Sequence, residues 1–317
     1  MTSGIETRAA EAGRRRTAQP EPGRASLERA IVQTVAYADV FDYPLTTEEI
    51  HRYLIGVPAS RAAVRAAIGT PRLLPEVLSR SGRYYTLAGR EGTVETRRSR
   101  VAPATAFWRR AVRYGHRLGR LPFVRMVAVT GALAMDNIAD GDIDYLVVTE
   151  PGRLWLSRAL AIALVRVAAL GGTQLCPNYF LSEHALALSE RNLFTAHELA
   201  QMVPLTGIQT YQQLRALNRW TDTYLPNAGG SPRRPAPLDV QPGRARRIVE
   251  GALRTRLASP FERWEMARKM RKLGQHGRGH AEAAFGPDWC KGHFGDHGQL
   301  TLTRHNERMQ AIEQRCV

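Results

Sequence analysis

The sequence predicts an α/β (α+β) chain, with a small mixed sheet at its centre, an N-terminal domain of short helices ending in a hairpin, and helices at the C-terminus. Three observations predict it. Apolar runs of strand length at Val124–Val129, 145–149 and Gln174–Ser182 alternate with helix-capable segments, as they do in an α/β unit. Residues 26–68 carry three short helical patterns, and a strand pattern follows them. Past a Pro/Gly-rich stretch at 227–243, residues 244–273 return to a helical period.

Composition narrows the class before any motif is considered. The chain has 317 residues, enough for two or three domains with cores of their own, and its 44% apolar content is that of a globular protein. Basic residues exceed acidic ones by 16, which makes nucleic acid, nucleotides and acidic proteins candidate partners. Only Lys269, Lys272 and Lys291 are lysines; an arginine bias of this kind also follows from a GC-rich genome, so the charge alone identifies no partner. Cys176, Cys290 and Cys316 are few and far apart, which points to a reducing, cytoplasmic setting. No apolar run is long enough to span a bilayer, since Arg158 and Arg166 interrupt the most apolar segment, Leu154–Leu170.

Taken in order, residues 1–25 are rich in Arg, Glu, Gly and Pro and read as a disordered tail, with Arg14–Arg16 as a solvated basic run. Ser26 is a candidate N-cap for a helix reaching Tyr37. Thr46 and Glu49 have the spacing of a capping box for a second helix, and residues 60–68 form a third, which would carry Arg61 and Arg65 if it entered a DNA groove. Residues 73–78 read as a short helix and 82–87 as a strand. After Pro103 a basic helix presents Phe107, Ala111, Tyr114 and Leu118 on one face. Leu154–Leu170 is a long apolar helix stopped by Gly171 and Gly172, and Gln174–Ser182 is the strand after it. Residues 194–225 read as two helices broken at Pro204 and Gly207, and 244–273 as a basic helix burying Val249, Leu253, Leu257, Trp264 and Met270. Residues 304–315 end the chain as an amphipathic helix.

The chemistry concentrates in residues 123–149. Asp142 and Asp144 lie two apart at the start of an apolar strand, so alternation turns both carboxylates to one face. Two like charges held this close persist at neutral pH when the carboxylates share a divalent cation or when both are fully solvated. Upstream, Gly131 follows a strand and opens a helix-capable piece, 132–138, so its turn can face an anion with backbone N–H groups.

A strand, the turn Thr130-Gly131-Ala132, nine residues, then Asp142-Ile143-Asp144-Tyr145 together resemble the signature of the polymerase-β-like nucleotidyltransferase superfamily. The run YADVFDYPLTTEEIHRYL resembles the winged-helix-like domain that precedes some nucleotidyltransferase domains. These resemblances imply a winged-helix-like domain at 26–98, a small mixed-sheet nucleotidyltransferase core at 99–226, a linker at 227–243 and a basic helical region at 244–317. They imply transfer of a nucleoside monophosphate from an NTP to an acceptor hydroxyl on RNA, protein or a small molecule. Asp142 and Asp144 would hold Mg²⁺ or Mn²⁺, and Thr130, Gly131 and Ala132 would bind the nucleotide. Ala132 departs from the family pattern, which has Ser or Gly there.

The superfamily normally sets a third carboxylate on the last strand, as metal ligand and general base. Here that strand interior holds Asn178 instead, and Glu183 just beyond it is the nearest acid. Either Glu183 completes the site, or two aspartates work with solvent or an acceptor group as base. A helical segment after the strand covers the nucleotide in similar proteins, which makes Arg191, Glu198, Gln201, Asn218 and Trp220 candidate contacts. Cys290, His293 and His297 are of metal-ligand type but supply three ligands where structural zinc takes four. The competing function is a nucleic-acid-binding regulatory or antitoxin-like protein with a weakened nucleotidyl site. Ala132, the missing strand carboxylate and the basic termini favour it.

Overall fold

The computed structural model describes residues 22–138, 141–229, 243–254, 258–274, 285–291 and 297–315. The chain is a mixed α/β protein with two sheets. Its N-terminal part runs α1 (Arg24–Asp39), β1 (Leu45–Thr46), α2 (Thr47–Arg52), α3 (Arg61–Ile68), β2 (Leu78–Ser81) and β3 (Tyr84–Leu87). The strands form an antiparallel sheet in the order β1-β3-β2. At the start of α2 the Glu49 amide donates to the Thr46 hydroxyl at 3.3 Å, and the Thr46 amide donates to the Glu49 carboxylate at 2.9 Å. The capping box is thus complete, and the Ser60 hydroxyl accepts the Ala63 amide to start α3 in the same manner. Val64, Ala67 and Ile68 join Ile31, Val35 and Leu78 in one buried cluster, while Arg61 and Arg65 stay exposed.

Helix α4 (Thr93–Gly119) belongs to both halves of the molecule. Near its start Arg97 is buried; its guanidinium forks onto Glu49 at 2.8 and 2.7 Å and lies over the rings of Tyr43 and Tyr84. Further along, Ala104, Trp108, Ala111, Tyr114 and Leu118 enter the core of the central sheet. The helix therefore crosses the expected boundary at residue 98 unbroken, and begins ahead of Pro103.

The central sheet is built from β4 (Val124–Val129), β5 (Asp142–Thr149), β6 (Gln174–Ser182), β7 (Val203–Thr206) and β8 (Trp289–Lys291), in the order β7-β4-β5-β6-β8. Only β5 and β6 are parallel, and α6 (Leu154–Leu170) makes the crossover such a pair requires. The short α5 (Gly131–Ala134) lies between β4 and β5; α7 (Leu193–Gln201), α8 (Ile208–Leu217) and α9 (Thr221–Tyr224) follow β6. The chain continues as α10 (Arg244–Leu253), α11 (Ala258–Gly274) and, after β8, α12 (His297–Arg315). Alternation divides the sheet into two faces. Val127, Val129, Ile143, Tyr145 and Val147 pack with Trp108 and Trp155 under α4 and α6. Met126, Ala128, Leu146 and Val148 pack with Leu199, Tyr211 and Leu214 under α7 and α8. By the same parity Asp142 and Asp144 belong to the α7 face.

Several local expectations are corrected. Gly23, not Ser26, precedes α1, and residues 71–77 are turns rather than helix. The helix after Gly131 stops at Ala134 instead of Ile138, because Asp136 takes a left-handed conformation that breaks it. Pro204, expected at a break between helices, lies in strand β7 instead; an edge strand tolerates the missing N–H. The region 244–273 forms two helices, and Val249, Trp264 and Met270 are exposed rather than buried. Its inward groups include acids beside Met266. Glu262 accepts the Trp155 and Leu156 amides at 2.7 and 2.8 Å, and Glu250 accepts the Phe123 amide at 2.7 Å. Those amides, at a helix start and a strand entry, have no other main-chain acceptor there, which is why carboxylates on a basic helix turn inward. Arg14–Arg16, Leu257, His293 and most of the linker lie outside the described residues.

Candidate functional site

The Gly turn and the aspartate pair meet in space. The Thr130 amide donates to the Asp144 carbonyl at 3.1 Å, which holds the end of β4 against the start of β5. Gly131 has φ +64, and a Cβ built on it would collide with the Asp144 carboxylate. Both the backbone conformation and the close approach require glycine. Asp142 is exposed and Asp144 half-buried. Burial first, and then the Asp142 carboxylate, push the Asp144 carboxyl up to about 6, against a hydrogen bond with Cys176 that lowers it. Burial likewise pushes the Cys176 thiol up to about 11.

Strand β6 supplies the third wall. Its register sets Cys176 beside Asp144, and the register shift after Tyr145 leaves Asn178 out of step between the paired Pro177 and Tyr179. The Asn178 amide then donates to Asp144 Oδ1 at 2.9 Å. Asn178, which stands where the family pattern has a carboxylate, orients the aspartate as a donor.

Glu183 does not belong to this site. Because β6 runs parallel to β5, its beginning is level with the aspartates and its end with Thr149. Glu183 follows that end, separated from Asp144 by most of the strand's length, roughly 20–25 Å. There it lies 3.9 Å from Arg125, in a charge cluster with Glu150. Among the described residues no three His, Cys, Asp or Glu side chains converge as a metal-holding group. Cys290 is buried in the core on the α6 side of the sheet, whereas His297 lines a cavity on the other side.

That cavity, of about 450 Å³, opens over the aspartates. Thr130, Gly131, Ala132, Asp142, Asp144 and Asn178 form one wall of it. Helix α7 contributes Phe194, His197, Glu198 and Gln201, and α12 contributes His297 and Thr301. The remaining wall comes from the N-terminal part of the chain, with Tyr37, Phe41, Tyr43 and Tyr53. Glu198 is half-buried on this wall, and its carboxyl is pushed up to about 7 by burial and then by Asp144. His197 is buried and stacks on Tyr37 with ring centroids 4.0 Å apart; burial drives its pKa down to about 3, so it is neutral.

Of the expected covering residues, Glu198 and Gln201 line the cavity and the others do not. Asn218 is buried and its amide donates to the Leu186 and Leu214 carbonyls. Trp220 donates to Asn218, and the Arg191 carbonyl accepts the Tyr224 hydroxyl. The aromatic wall was missed from the sequence; its one signal was the density of rings in residues 37–43. Arg61 and Arg65 lie on α3, away from the cavity lining. No helix among the described residues is long and apolar enough to cross a membrane. No protein-family model matches the chain, and neither does any curated protein or solved structure.

Proposed function

We propose that this protein is a metal-dependent nucleotidyltransferase, which moves a nucleoside monophosphate from an NTP to an acceptor hydroxyl. The observation that carries the reading is the contact of Gly131 with Asp144, which joins an anion-facing turn to a carboxylate pair at the mouth of a cavity of nucleotide size. Asp142 and Asp144 are hard oxygen donors, and burial together with the Asp142 charge raises the Asp144 pKa, so they fit Mg²⁺ or Mn²⁺. The ion, when bound there, neutralises triphosphate charge.

The chain's own groups do the rest. Thr130, Gly131 and Ala132 bind the outer phosphates through the turn. Asn178 holds Asp144 in its rotamer. The acceptor oxygen bonds to the α-phosphorus as the bond to pyrophosphate breaks, in line, so positioning dominates the rate. With Glu183 remote, the hydroxyl proton passes to Glu198 or to solvent. The order α1-β1-α2-α3-β2-β3, with its strands in one β1-β3-β2 sheet, supports the winged-helix-like reading of the N-terminal domain. The free thiols of Cys176 and Cys290 fit a cytoplasmic location.

The test is Mg²⁺-dependent transfer from α-labelled NTPs to RNA, protein and small-molecule acceptors. The Asp142→Asn, Asp144→Asn double variant should lose roughly a thousand-fold in rate, by analogy with the loss of one strong electrostatic contact. Labelling by the variant at the wild-type rate overturns the reading.

One observation favours a regulatory or antitoxin-like nucleic-acid-binding protein instead: an amide, Asn178, stands beside Asp144 where an acid would complete the site. Arg61 and Arg65, exposed on α3, would then contact DNA. Salt-dependent binding to duplex DNA that Arg61→Ala and Arg65→Ala abolish would support it.

A further inference from the structure

We propose that the N-terminal domain, rather than the nucleotidyltransferase core, holds the nucleobase, and that Phe41 is the residue on which the base stacks. This rests on the nucleotidyltransferase reading and adds the second half of its binding site.

The four rings of the aromatic wall differ in what they already touch. Tyr37 is stacked on His197, and His305 meets its edge. Tyr43 carries the Arg97 guanidinium 4.0 Å above its ring and donates its hydroxyl to Glu49. Tyr53 is buried, with its hydroxyl on Met135. Among the described residues Phe41 has one ring neighbour, Tyr37, at 5.7 Å and tilted by 56°, and it is 40% exposed while lining the cavity. A large apolar ring left open beside a charged site is what a flat, half-polar group would cover.

Its position relative to the phosphate turn is fixed by two hydrogen bonds in series. The Phe41 carbonyl accepts the Asn137 side-chain amide at 2.9 Å, and the Asn137 backbone amide donates to the Ala132 carbonyl at 2.9 Å. Arg100 reaches both the Phe41 carbonyl and the Asn137 side chain. The loop bearing Phe41 is thus tied to the turn that binds the outer phosphates, and the cavity is continuous between them. A nucleotide with its phosphates at Gly131 and Ala132 can extend its base only into this aromatic end or toward α7. Every base presents a π-face, so stacking on Phe41 contributes affinity with little choice among the four.

Calorimetric titrations with Mg²⁺ test this, using inorganic tripolyphosphate and each of ATP, GTP, CTP and UTP as probes. Phe41→Ala should weaken the best-bound NTP by about ten-fold to a hundred-fold and leave tripolyphosphate affinity unchanged. Phe41→Trp should retain NTP affinity, and the added indole fluorescence should be quenched by that NTP and not by tripolyphosphate. An alanine variant that binds every NTP as tightly as wild type overturns the proposal, as does equal loss of NTP and tripolyphosphate binding. Wild-type protein that binds neither probe overturns the nucleotidyltransferase reading itself, and this inference with it.

Discussion

Burial disfavours the charge on Asp144. Its folded-state pKa, about 6, lies above the ordinary aspartate value of 3.8 because burial and Asp142 disfavour the ionised form. The sign follows from linkage: stability is full below about pH 4 and is lost as pH rises toward 6, where the unfolded chain is already ionised. Asp144→Asn removes the charge and keeps an oxygen for the Asn178 amide. In chelator-treated protein at pH 7 the variant should therefore be more stable than wild type by about 1–3 kcal/mol. The advantage should vanish below about pH 4, and urea unfolding across that range measures it. A site residue that destabilises the metal-free fold is what a cation-binding role leads one to expect. Spacing alone brought Gly131, Asp142 and Asp144 together. The role of Asn178 was not legible, because a register shift in β6 turns it toward Asp144.

At the level of elements, boundaries were read best where a long period met strong stop signals. Helix α6 and strand β6 match their expected limits, since an apolar run ended by two glycines leaves little choice. Strands β7 and β8 escaped because runs of four and three residues carry no period. The C-terminal helices invert the usual rule, with apolar Trp264 outside and Glu262 turned in. Glu262 serves as a distant cap for the first turn of α6. Glu262→Ala leaves the Trp155 and Leu156 amides without their acceptor and should cost about 1–3 kcal/mol in urea unfolding. A variant as stable as wild type would show that water replaces the carboxylate.

Across the whole molecule, α12 and α7 bind the N-terminal domain to the core. Tyr37, Tyr53, Leu193, Ala196, Ala200 and Leu225 form one buried cluster, which Leu302 flanks. Asp39, itself buried, accepts Arg90 at 2.9 Å and Arg308 at 2.6 Å, and so links α1 to the β3 turn and to α12. Asp39→Ala leaves both arginines without this carboxylate and should cost about 2–4 kcal/mol, a value lowered from that of a fully buried pair because Arg90 is half-exposed. Hydrogen exchange should rise in α12 of that variant; unchanged exchange there would mean that the apolar cluster alone holds the helix.

The sequence by itself determined the local chemistry. A glycine after a strand, nine residues and two aspartates on one face follow from periodicity and chain length, which act within a few turns of backbone. Only the tertiary structure decided which groups surround that pair. Glu198, Asn178 and Phe41 come from separate elements, and whether they line one cavity with the aspartates depends on strand direction, a bulge and how the N-terminal part packs. Those are contacts between residues far apart in the chain, which local spacing does not encode. Glu183 shows the same in reverse, since nearness along β6 placed it at the wrong end of the strand.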